Sequence, residues 1–112
     1  MNNHSLGIGQ FLLNEVARHR DVLILFSTHE DVGKFRRAAE QAGRLYDFIQ
    51  PRVHLRASRD LPGFKTLTPD TLVVFDPLDC DVAGIVQARH RIKLSLRPLY
   101  IEMQMEREVI AW

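Results

Sequence analysis

Two unbroken apolar runs punctuate the chain, VLILF at Val22–Phe26 and TLVVF at Thr71–Phe75. Each is too short for a typical buried helix and lacks the alternation of a half-exposed strand, the pattern expected of a strand covered on both faces. Around them the spacing becomes helical. Ile8, Phe11, Leu12 and Val16 predict a first helix, with Ser5 as N-cap and Arg18, His19 and Arg20 in its last turn, where cations suit the helix dipole. After the first run, Ser27 with Glu30 and Thr28 with Asp31 make two overlapping capping-box patterns. The helix they open carries Val32, Phe35, Ala39 and Ala42 on one stripe and meets Gly43 as a stop. After the second run, Val82, Ile85, Val86 and Arg89 recur at helical spacing, and Arg89, His90 and Arg91 supply a basic final turn.

The middle and the tail read differently. LYDFI, Leu45 to Ile49, has the composition of a strand, interrupted at Pro51. RVHLR alternates Val53 and Leu55 against Arg52, His54 and Arg56, predicting a strand with one apolar face and one solvated basic face. Turn formers dominate from Ala57 to Pro69 and predict a loop. Period-two apolarity returns at Ile92, Leu94 and Leu96 and again at Leu99, Ile101 and Met103, predicting one strand, or a pair broken at Pro98, toward a sheet edge. Strands alternating with helices imply βαβ units with right-handed crossovers. The expected fold class is therefore α/β, a three-layer α/β/α sandwich with a mainly parallel sheet of about four or five strands, in one domain over residues 1–112.

Composition narrows the classes. A chain of 112 residues with 46% hydrophobic and 26% charged residues can bury a core without metal or disulfide. The single cysteine, Cys80, cannot close an intramolecular disulfide, which suits a reducing compartment. No run approaches the length of a membrane span and the N-terminus lacks a signal-peptide pattern, so a cytoplasmic, membrane-free protein is expected. The net charge of +1 argues against binding nucleic acid through a general positive field. Twelve of the fifteen basic residues are arginine, whose planar fork suits phosphate or carboxylate; a codon bias toward arginine gives the same excess.

In open α/β sheets, ligands gather beyond the carboxyl ends of the strands, where the strand order reverses. Two segments would lie there if Val22–Phe26 and Thr71–Phe75 are parallel neighbours: Ser27-Thr28-His29-Glu30 and Asp76-Pro77-Leu78-Asp79-Cys80-Asp81. Glu30 and His29 are then candidates for acid/base work, and Asp76, Asp79 and Asp81 for holding Mg²⁺, which takes one or two carboxylates and several waters. Ser27 and Thr28 are placed to contact phosphate at a helix N-terminus, and Arg52, His54 and Arg56 to line a nucleic-acid backbone. A structural account covers the same residues: Asp79 or Asp81 as a helix cap, Pro77 as a turn former, Asp76 as a solvated strand end. There is no glycine-rich phosphate loop, zinc spacing or nucleophile elbow.

The apolar strand from Leu72, the Asp79-Cys80-Asp81 pair and Val82-Ala83-Gly84 entering a helix resemble the D-x-D segment of toprim domains. That resemblance implies metal-bound acids acting in phosphoryl transfer, with Glu30 as the general acid/base. It departs from the family in two places: the aspartate pair lies three residues beyond Asp76, and no glycine follows Glu30. Pro69-Asp70 with Glu102-Met103-Gln104 resembles the P-D…E-x-K nuclease core more loosely, because the lysine is replaced and a predicted helix intervenes.

Two functional expectations follow. The first is a non-enzymatic α/β binding or assembly module with no cofactor, acting as a homo-oligomer or through a protein or nucleic-acid partner. Met103, Met105, Val109, Ile110 and Trp112 near the C-terminus, together with a possible edge strand, supply surfaces for such contacts. The second is a small Mg-dependent phosphoryl-transfer or nuclease domain built from Glu30, Asp76, Asp79 and Asp81.

Overall fold

A computed structural model of the chain describes residues 20–104. The predicted first helix and the C-terminal residues Met105 to Trp112 lie outside that range. Four strands form one sheet: β1 (Val22–Phe26), β2 (Val53–Ala57), β3 (Thr71–Phe75) and β4 (Leu99–Met103). Their order is β2-β1-β3-β4, and every neighbouring pair is parallel. Val22 is level with Val53 and Thr71, and Thr71 with Leu99. The two apolar runs are thus parallel neighbours at the centre of the sheet, and every residue of both is buried.

Parallel strands need crossovers, and the helices supply them on both faces. α1 (His29–Gln41) joins β1 to β2 and packs with the short α2 (Leu45–Phe48) on one face. α3 (Leu61–Phe64) and α4 (Val82–Ile92) cover the other. This division is what right-handed crossovers require when the chain first steps to one side of β1 and then back past it. The α1 face gathers Val22, Ile24, Phe26, Val73 and Phe75 with Phe35 and Phe48. Phe26 stacks on Phe75 with ring centroids 5.2 Å apart, and Phe48 meets Phe35 edge-on at 5.0 Å. Each such phenylalanine contributes about 2–3 kcal/mol through burial alone. The α4 face uses the alternate positions Leu23, Leu25, Leu72 and Val74 with Phe64, Ala88 and Ile92.

Three sequence expectations change. Leu45–Phe48 is a helical turn rather than a strand, because Gly43 in the left-handed region (φ 71°) ends α1 and the spacing of Leu45 and Phe48 turns both onto the Phe35 cluster. The stretch from Ala57 to Pro69 contains α3, whose Pro62 lies in the first turn, where a missing N–H costs nothing, and whose Phe64 is fully buried. Ile92 closes α4 and Leu94 and Leu96 lie in exposed turns, so the tail provides one strand, β4, which begins after Pro98 and pairs with β3.

The amino ends of the strands are fastened by Asp70. Its carboxylate accepts from the Ser95 hydroxyl at 2.7 Å and from the Asp21 N–H at 3.3 Å. The Ser95 bond is the largest cause that holds the Asp70 carboxyl below the ordinary aspartate value of 3.8. Among the described residues, no helix is long and apolar enough to cross a membrane.

Candidate functional site at the carboxyl rim of the sheet

The strand order reverses between β1 and β3, so their carboxyl ends define the crevice where a doubly wound sheet ordinarily binds. Ser27, Thr28, His29 and Glu30 follow β1, and Asp76, Asp79 and Asp81 follow β3. The topology therefore brings both predicted loops to one rim. How their groups are used is a separate matter.

At the β1 turn, Thr28 is the N-cap of α1, and its hydroxyl accepts from the Asp31 N–H at 3.1 Å. The Ser27 hydroxyl donates to the Asp31 carboxylate at 2.5 Å, and Lys34 stands 3.9 Å from the same carboxylate. Of the two capping patterns, the Thr28–Asp31 pair sets the helix start. His29 and Glu30 are exposed in the first turn.

At the β3 turn, Asp76 adopts the left-handed conformation (φ 52°, ψ 62°), an arrangement that aspartate tolerates better than most side chains. A 3-10 turn, Pro77–Asp79, follows. Asp81 caps α4, its carboxylate accepting from the Gly84 N–H at 3.1 Å. The Cys80 thiol is buried and donates to the Phe75 carbonyl at 3.3 Å; burial, with a smaller contribution from Asp76 and Asp79, pushes its pKa up. Among the described residues, no group of three or more His, Cys, Asp or Glu side chains is gathered closely enough to hold a metal ion.

Ser58, in the stretch whose turn formers predict a loop, joins these turns. It is fully buried at the end of β2. Its N–H donates to the Phe26 carbonyl at 2.7 Å, and its hydroxyl donates to the Ser27 carbonyl at 3.3 Å and accepts from the Asp81 N–H at 2.9 Å. Gly84 makes this closure sterically feasible, since a Cβ there would fall 2.0 Å from the Ser58 carbonyl oxygen. The first turns of both helices are thus served by the chain's own oxygens. A phosphate at this rim would compete with Thr28, Asp81 and Ser58 for the same N–H groups, beside the carboxylates of Glu30, Asp31 and Asp79.

The basic row of β2 is half-buried rather than solvated. His54 Nε2 lies 2.9 Å from an Asp21 carboxylate oxygen, and its side chain is only 14% exposed. Arg56 donates through Nε to the Gly63 carbonyl at 2.9 Å, at the carboxyl end of α3. Arg52 donates to the Arg20 carbonyl at 3.4 Å. The solvated face expected from the alternation is absent because α3 folds back over it and Arg20 and Asp21 lie beside it.

The outward face of α4 corrects a further expectation. Its buried residues are Gly84, Ala88 and Ile92, not the Val82–Val86 stripe. Close approach at Gly84 rotates the helix so that its small residues meet the sheet. Leu78 is left 98% exposed, Val82 72% and Val86 62%. The Gly84-Ala88 spacing was the available signal for this rotation. At the far end of α4, the Arg89 guanidinium lies 4.4 Å over the Tyr100 ring, and the Tyr100 hydroxyl donates to Glu102 at 2.7 Å. Burial, followed by that bond, pushes the Tyr100 pKa up to about 12.

No protein-family model, curated protein or solved structure matches the chain, so the toprim resemblance stands on its few residues alone.

Proposed function

We propose that the chain is a non-enzymatic α/β module that works by binding within an assembly, with a protein surface as its partner. One contrast supports this reading: the rim's hydroxyls and caps are engaged in internal bonds, while Leu78, Val82 and Val86 face solvent beside them. Exposed apolar side chains of this kind, close in sequence and rimmed by charge, are the usual material of a protein contact. The internal use of Arg52, His54 and Arg56 favours protein over nucleic acid. The test combines sedimentation of the chain over a range of concentrations with nucleic-acid titrations across a salt series. A chain that is monomeric throughout and ignores nucleic acid at every salt concentration overturns the reading.

A second reading, Mg-dependent phosphoryl transfer by Glu30, Asp76, Asp79 and Asp81, draws on the left-handed backbone of Asp76, a feature that concentrates at functional sites. Thermal unfolding with added Mg²⁺ separates the two. The binding module keeps its melting temperature in millimolar Mg²⁺. A metal site raises it by mass action, and Asp79→Asn with Asp81→Asn removes the rise.

A further inference from the structure

The outward stripe of α4 has an internal order. Val82, Val86 and the C-cap residue Lys93 share one side of α4 and are exposed, and Asp79, exposed in the 3-10 turn that precedes the helix, lies at its amino end. Read along the axis, the stripe runs from acid through apolar to base. Asp81 adds to the acidic end and His90 to the basic end. Arg89 is turned toward Tyr100, leaving Lys93 as the outward cation.

Such a stripe is complementary to itself when reversed. Two copies packed antiparallel about a twofold axis near Val86 bring Val86 against its counterpart, set Val82 against the basic turn's aliphatic stems, and bring the acidic turn of each copy, which carries Asp79, to the basic end of the other, which carries Lys93. Parallel packing would oppose like charges at both ends. A nucleic-acid backbone would gain at the basic end and be repelled at the acidic one. A twofold contact uses the same patch on both subunits, and this patch has the charge order that symmetry demands. We propose that the chain self-associates as an antiparallel homodimer through the exposed face of α4. This rests on the binding reading above and names its partner as a second copy of the chain.

A contact of about three helical turns is small, so the expected dissociation constant is on the order of 10 µM. Sedimentation velocity on the full chain from about 1 µM to about 1 mM covers that range. Val86→Asp places two carboxylates at the axis and is expected to weaken association by about 30-fold or more. Because Val86 already faces solvent, circular dichroism of this variant should match the parent. Asp79→Lys and Lys93→Asp should each weaken association about fivefold, and the double variant should restore it. Val86→Cys should form a disulfide-linked dimer on oxidation; the parent should not, because Cys80 is buried. A dimer unaffected by Val86→Asp, without the Val86→Cys crosslink, overturns the proposal and leaves the binding reading intact, with the contact elsewhere. A monomer that binds nucleic acid overturns the proposal and the protein partner of the reading above, leaving a binding module with a different partner. A monomer that binds no nucleic acid overturns both.

Discussion

The turns after β1 and β3 occupy equivalent places, each carrying the chain from a buried central strand into a helix, yet they are put to different uses. After β1 the chain enters α1 in two residues, and Ser27, Thr28 and Asp31 close on one another. After β3 it takes a left-handed residue and a 3-10 turn before Asp81, which carries Leu78 out into solvent and leaves Val82 and Val86 outward. The first turn spends its polar groups on starting a helix. The second also starts a helix, but it fixes that helix in a rotation that exposes apolar side chains. The determinant is the contact between Gly84 and the Ser58 carbonyl, which has no counterpart at the β1 turn. Equivalent positions in a doubly wound sheet therefore need not share a role.

The largest effect that would break this contrast is expected from Gly84→Ala. The added methyl group would overlap a backbone carbonyl that Ser58 holds through its own N–H and hydroxyl bonds, so neither side can yield cheaply. Overpacking of this kind costs about 3 kcal/mol. Urea unfolding should show that loss. If α4 instead rotates to relieve the clash, Val82 and Val86 should become less accessible, which hydrogen exchange along residues 82–92 would detect. An unchanged unfolding midpoint would mean that the close approach does not hold α4 in place.

Ser58→Ala tests the hydroxyl that links the two turns. It leaves the partly buried Asp81 N–H without its partner and removes one bond to the Ser27 carbonyl. The expected loss is about 1–2 kcal/mol by the same urea measurement, smaller than that of Gly84→Ala because no atoms collide. A cost near zero would show that the turns are held by packing alone.

The fold was legible because burial dictates it. A strand covered on both faces has no polar positions to spare, so VLILF and TLVVF read as central strands; that they are parallel neighbours was a condition of the sequence argument, and the sheet meets it. The rim position of both acidic turns followed from that pairing. The rotation of α4 was hidden because hydropathy rewards Val82 and Val86, whereas the packing is governed by the missing side chain of Gly84. The basic row of β2 misled for a related reason. Alternation shows that Arg52, His54 and Arg56 share a face, but not that α3 and Asp21 lie there to receive Arg56 and His54. Ser58 gave no signal at all, because a serine near a turn is ordinary until the chain folds around it.

The smallest effect is also the sharpest comparison, because α1 carries its own early glycine. Gly33 lies within α1, and a Cβ there would meet only the Arg37 guanidinium at 3.3 Å, the far end of a flexible side chain that can swing aside. Gly33→Ala should therefore stabilise the chain by up to about 1 kcal/mol, through the usual gain of alanine over glycine in a helix. The same substitution in the two helices then has opposite signs, and the difference measures what close approach contributes at the β3 turn and not at the β1 turn. Urea midpoints of the parent and the two variants are sufficient to obtain it. Should Gly33→Ala destabilise as much as Gly84→Ala, both turns would depend on a glycine contact, and the division of labour between them would fail.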